Sequence, residues 1–97
     1  NLKGYDYIKT AIILCYKDPS LIQAITKKLY LDIAKKYKTT NARVERAIRH
    51  AITRMWDCGN IDMLEDCCGY TINKEKGRPT NSEFIAQIVN GIRLNLI

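Results

Sequence analysis

Arg43, Arg46, Arg49 and His50 sit close together in one strongly periodic stretch, with Glu45 among them. Advancing about 100° per residue puts Arg43, Arg46, Arg49, His50 and Thr53 on one arc of a helix, and Val44, Ala47, Ile48, Ala51 and Met55 on the opposite arc. One side packs and the other meets something charged. A guanidinium presents its donors in a fixed fork that matches guanine O6 and N7 in the major groove, a discrimination that lysine's point charge makes less sharply. Glu45 has two readings. A carboxylate near DNA is repelled by phosphates, so it either accepts a bond from a cytosine amino group or steadies an arginine, or it is a surface residue pairing with Arg49 at i+4. His50 is the only histidine and has no catalytic partner nearby in sequence. That leaves it a backbone contact or a surface role.

The charge around this helix is local. Between Lys27 and Arg54 nine basic residues stand against Asp32 and Glu45, a balance of +7, so the rest of the chain carries −1 of the total +6. A basic stripe on one or two helices is the footprint of a phosphate-backbone reader, although a solvated lysine-rich face has the same composition. The preceding segment completes a helix-turn-helix layout over about residues 31–58: Asp32-Ile33-Ala34-Lys35-Lys36-Tyr37, a short polar turn, then Arg43 onward. Ala34 is small where two helices approach, and Ile33, Tyr37, Val44 and Ile48 can close a shared core. Such a motif lays its second helix in the groove and its first across the backbone, which brings Lys35, Lys36 and the amides of Thr39, Thr40 and Asn41 to phosphates.

Ninety-seven residues, 46% hydrophobic and 27% charged with few Gly and Pro, describe one compact domain with no room for a large enclosed active site. Apolar residues recur at helical spacing almost throughout, so the chain reads as all-α with about six helices. The first spans about Leu2 to Lys17 with Ile8, Ala11, Ile12 and Cys15 on one face. Asp18-Pro19 then stops it and opens a second helix that turns Leu21, Ile22, Ile25 and Leu29 inward. A third spans about Leu31 to Lys38, and the periodic fourth runs from Thr39-Thr40-Asn41 to about Cys58, where Gly59 stops it. A brief helix is expected over about residues 60–68. Thr80-Asn81-Ser82-Glu83 is a capping-box pattern for the last, which carries Phe84, Ile85, Ile88, Val89 and Ile92.

Cys15, Cys58, Cys67 and Cys68 lack the density and spacing of a secreted disulfide framework and are expected to be reduced thiols. Without a CxxC pair, a metal site from Cys58, Cys67, Cys68 and His50 is poorly pre-shaped, and no metal or cofactor is expected. The longest apolar run, Ala11 to Tyr16, is far short of a bilayer span. No membrane partner is expected, and the cytoplasm is the expected location. An enzyme lacks its parts: there is no nucleophile with a neighbouring base and no phosphate-cradling glycine loop. A thiol- or metal-responsive DNA-binding sensor and a basic protein-interaction domain remain the alternatives to a sequence reader.

The strings DIAKKYKTTNARVERAIRHAI, GNID, GYT and RPTNSEFIA resemble, in order and spacing over nearly the whole chain, the C-terminal DNA-binding effector domain of the sporulation-initiating response regulator of endospore-forming bacteria, the stage zero sporulation protein A family. The resemblance implies a six-helix effector that follows a phosphate-accepting receiver and binds TGTCGAA-like promoter boxes, activating or repressing sporulation genes. The chain, which begins at Asn1, is then expected to be the effector half cut from a longer protein. By position, Glu45 and Arg46 would read bases, while Arg43, Arg49 and His50 would contact the backbone. The stretch from Gly59 to Ile72 would contact the housekeeping sigma factor of RNA polymerase, with Asn60, Ile61, Asp62, Met63, Glu65 and Cys68 in that surface. The absence of Lys and Arg from Met55 to Asn73, against four carboxylates, suits such a partner. Family members pair head-to-tail on adjacent boxes, and the last helix could carry that contact. Three positions depart from the pattern: Leu31 replaces a frequent proline, Cys68 replaces an aromatic, and Leu94-Asn95-Leu96-Ile97 stands in place of a basic tail.

Overall fold

The computed structural model describes residues 2–57 and 77–95. All regular structure within them is helical. The four α-helices are α1 (Leu2–Lys17), α2 (Tyr30–Tyr37), α3 (Asn41–Asp57) and α4 (Asn81–Arg93). The all-α expectation holds, but the count of about six is not matched, and the short helix expected over 60–68 lies outside the described residues.

The main correction concerns the second element. In place of one α-helix the chain winds a 3-10 helix over Pro19–Ala24 and then a single π turn over Ile25–Leu29, which passes into α2 without a loop. Asp18 starts the tight spiral: its carboxylate accepts from the Ser20 amide at 3.1 Å and the Ser20 hydroxyl at 2.6 Å. Those two bonds hold the Asp18 carboxyl below its ordinary range. At Ala24 the backbone leaves the helical well (φ −125°, ψ 43°), so the i+3 ladder ends there and a wider turn follows. Overwinding followed by underwinding keeps Leu21 and Leu29 facing inward, both buried as expected, with Ile22 and Ile25 packed at the margin. Periodicity located the inward residues because the two deviations in pitch offset each other.

The core lies between α1, α3 and α4, with α2 closing one side. Ile8, Ala11 and Cys15 of α1 meet Val44, Ile48, Ala51 and Ile52 of α3 and Phe84, Ile85 and Val89 of α4 in one cluster, joined by Ile33 and Ala34 from α2. Fully burying one such aliphatic side chain stabilises by about 1.5–3 kcal/mol, while a cap contributes about 1 kcal/mol. The inner face therefore decides whether α3 forms, and its ends only trim it. Tyr37 does not complete the α2–α3 core as expected. Its ring lies against Tyr7 of α1, with centroids 5.0 Å apart, and its hydroxyl is 2.7 Å from Thr10 Oγ1. A phenol needs a polar partner, and Thr10 supplies one that the aliphatic seam lacks.

α1 and α3 touch backbone to side chain at one point. A Cβ at Gly4 would stand 2.4 Å from the Ala47 carbonyl oxygen and 2.9 Å from Ala51 Cβ. Only hydrogen fits there, and two alanines face it. In Gly4→Ala the new methyl meets backbone, which has no rotamer to yield, so the helix-propensity gain of about 1 kcal/mol is overcome. We expect a net loss of about 1–3 kcal/mol, seen as a lower urea midpoint with an unchanged slope.

Candidate nucleic-acid interface

α3 begins where its sequence says it should. Thr40 Oγ1 accepts from the Arg43 amide at 3.2 Å, and the first in-helix bond runs from the Val44 amide to the Thr40 carbonyl at 3.0 Å. The turn before it is short because α2 ends abruptly. Lys38 adopts a left-handed conformation (φ 56°, ψ 51°), and the amides of both Lys38 and Thr39 donate to the Ala34 carbonyl. Three residues thus join α2 to α3.

With Val44, Ile48, Ala51 and Ile52 buried, the opposite side of α3 faces solvent: Arg43, Arg46, His50 and Arg54 are exposed, and Glu45, Arg49 and Thr53 are half-exposed. Ile52 joins the inner face beyond the five residues expected there, and Met55 lies at its margin. Arg49 Nε donates to Glu45 Oε2 at 2.9 Å, so the i+4 pairing considered for Glu45 forms in the free chain. Thr53 turns its hydroxyl back to the Arg49 carbonyl at 2.8 Å. Lys35 and Lys36 are exposed on the last turn of α2, with Lys36 Nζ 5.7 Å from the centre of the Tyr37 ring.

Not every residue of the turn points outward with equal freedom. The Thr39 amide is already taken by α2, and the Asn41 side chain donates to the Thr26 carbonyl at 3.4 Å, tying the start of α3 to the π turn. Gly59, Asn60, Ile61, Asp62, Met63, Glu65, Cys68 and Ile72 lie outside the described residues, as do Cys58 and Cys67.

One residue that the sequence reading used only for its place in a cap is central here. Asn81 is buried, and its Nδ2 donates to the Tyr30 hydroxyl at 2.9 Å and to the Glu45 carbonyl at 3.2 Å. It joins α4, α2 and α3 at a single amide. Asn just inside a helix start ordinarily faces water, so no local pattern marks it. Burial pushes the Tyr30 phenol up, the Asn81 donor opposes that shift, and the Glu45 charge adds to it. The predicted capping box forms at the same place: Glu83 N to Thr80 Oγ1 at 3.1 Å, and Thr80 N to Glu83 Oε1 at 2.9 Å.

Cys15 is fully buried, and desolvation, reinforced by the Asp18 charge, pushes its thiol up to about 11. Among the described residues no cluster of three or more His, Cys, Asp or Glu side chains is placed to hold a metal, and no helix is long and apolar enough to cross a membrane.

A family model described as the sporulation initiation factor Spo0A C terminal matches residues 1–92 of the 97. The chain belongs to that family. Membership makes it a DNA-binding, transcription-regulating domain of a sporulation response regulator, and the Spo0A C-terminal match runs through α1, α2 and α3 and almost to the end of α4.

Two measurements check this architecture. Asn81→Ala removes the donor to the buried Tyr30 hydroxyl and to the part-buried Glu45 carbonyl and should destabilise by about 1–3 kcal/mol, whereas Tyr30→Phe, which leaves the Glu45 bond in place, should cost less; urea unfolding of both variants makes the comparison. Cys15 keeps its proton in the fold beyond its ordinary value of 9.0. Its contribution is therefore complete below pH 9 and lost as pH rises toward 11, where the unfolded chain releases a proton that the folded chain retains. At pH 8, peptide mapping after alkylation should find Cys15 unlabelled in the native chain and labelled in urea.

Proposed function

We propose that the chain reads double-stranded DNA by placing α3, the second helix of a helix-turn-helix formed by α2 and α3, in the major groove of TGTCGAA-like promoter boxes. The observation that carries this is the division of α3 into a buried aliphatic side and an exposed side holding Arg43, Arg46 and His50. Glu45 and Arg46 read bases. Arg43, Arg49 and His50 contact the backbone or neighbouring bases, and Lys35, Lys36, Thr39, Thr40 and Asn41 meet phosphates beside the turn. For Thr39 the hydroxyl makes that contact, because its amide is bonded to Ala34. Glu45 holds Arg49 before DNA arrives, which limits the side-chain freedom lost on binding.

The same reading gives the domain a second, acidic surface from Gly59 to Ile72 for an RNA polymerase sigma factor. What supports it is the run of carboxylates without a single Lys or Arg from Met55 to Asn73, following directly on the basic helix. Oppositely charged neighbouring surfaces let one small domain touch DNA and a basic protein partner together. On adjacent boxes two copies pair head-to-tail, with α4 at the contact.

Binding to arbitrary DNA does not test this, because any patch of +7 binds polyanions. A box duplex and a scrambled duplex compared at fixed salt do. Arg46→Ala should lose about 1–3 kcal/mol of preference for the box, the value of one bidentate base contact. Lys36→Ala should weaken both duplexes alike. If both variants lower affinity for the two duplexes by equal factors, Arg46 is not a base reader and the assignment falls.

A further inference from the structure

A cleft of about 350 Å³ opens beside the reading face of α3, between that helix and the start of α4. Its walls include Glu45 and Arg49 on one side and Arg78, Thr80 and Ser82 on the other. On the α3 wheel Glu45 and Arg49 occupy the flank toward α4, whereas Ala47 and Ala51 occupy the flank against Gly4 of α1. An α-helix in a major groove about 12 Å wide is bordered by phosphate backbone on each side. Whatever flanks the reading face therefore lies against a strand.

Arg78 is the side chain that the fold puts on that flank. It is exposed and, within the described residues, engaged in no ion pair. Gly77 precedes it with φ +84°, a conformation that side chains rarely adopt, and no atom lies within 4 Å of where its Cβ would be. Pro79 and the Thr80–Glu83 capping box follow. A turn that favours glycine on one side and a capped helix on the other fix the point from which the guanidinium leaves the chain. The nearby carboxylate, Glu45, is already held by Arg49 at 2.9 Å, so it does not draw Arg78 inward.

We propose that Arg78 is a DNA-binding residue outside the helix-turn-helix, contacting a backbone phosphate on the strand that borders the α4 side of α3. The inference rests on the DNA-reading assignment of α3 and extends it to a second element: the segment ahead of α4 grips the strand while α3 reads the bases. A planar fork suits a phosphodiester, and one contact of this kind adds affinity without sequence information.

The test uses the whole 97-residue chain, its Arg78→Ala, Arg78→Lys and Arg78→Glu variants, and Arg46→Ala alongside, with box and scrambled duplexes titrated across a range of salt. Arg78→Ala should weaken binding to both duplexes several-fold and by the same factor. The dependence of log affinity on log salt should become shallower by about one for the lost phosphate contact. Arg78→Lys should keep the slope, Arg78→Glu should weaken binding further, and the circular dichroism and melting temperature of all three should match the parent. Affinity and slope unchanged in Arg78→Ala and Arg78→Glu overturn the proposal, as does a loss confined to the box duplex. The scrambled duplex alone decides this, so it does not depend on box preference. A parent chain that binds both duplexes equally sinks the assignment of base readers in α3 while leaving the Arg78 result to be judged on its own slope.

Discussion

The missing side chain at residue 4 determines how α3 lies. Because Gly4 brings the α1 backbone against the Ala47 carbonyl and Ala51, the two helices approach more closely than any pair of ordinary side chains permits. That closeness draws Ile48, Ala51 and Ile52 into the centre of the cluster formed with Ile8, Ala11 and Cys15. A helix held so deeply on one side cannot rotate about its axis without pulling aliphatic groups into water. The orientation of Arg46 toward solvent is thus a consequence of packing some distance away. Asn81 secures the other flank by holding the Glu45 carbonyl and the Tyr30 hydroxyl with one amide. Apolar contact fixes the rotation of α3, and this polar contact fixes its position relative to α4.

Elements whose apolar residues follow a clean helical period were legible in the sequence. α1 and α3 fall within a residue of where Ile8, Ala11, Cys15 and Val44, Ile48, Ala51 place them, and the Thr80–Glu83 box marks the start of α4 by its hydrogen-bond chemistry alone. The segment from Pro19 to Leu29 was legible only in part. A wheel reports which residues point inward and is blind to a tight turn followed by a wide one when the two cancel. Tyr37 shows a different failure: its spacing matches the aliphatic seam, but its hydroxyl finds Thr10 across the fold, twenty-seven residues away in the chain. The exposed arginines could be named from the wheel. Asn81 could not, because its role depends on the distant residues that arrive around it.

The electrostatics divide in the same way. The Glu45–Arg49 pair is about 40% exposed on both sides, and a surface pair of this kind adds between zero and about 1 kcal/mol to stability. It is a poor reason for the fold and a better reason for order on the exposed face of α3, where it holds one guanidinium in place and reduces the repulsion among neighbouring cations. The buried polar groups have the opposite balance. Asn81 and Tyr30 bring little charge to the surface, but among the described residues no buried side-chain nitrogen or oxygen is left without a partner.

The three-residue link ahead of α3 turns on a left-handed residue at the end of α2. A left-handed residue at the end of a helix is most often glycine, and a lysine there costs about 1 kcal/mol in local conformational energy. Lys38 nevertheless occupies it, at the mouth of the helix that carries the arginines. The corner therefore keeps a positive charge where the most compliant residue has none. A glycine introduced to relieve that conformational cost would also strip a cation from the start of the arginine-bearing helix.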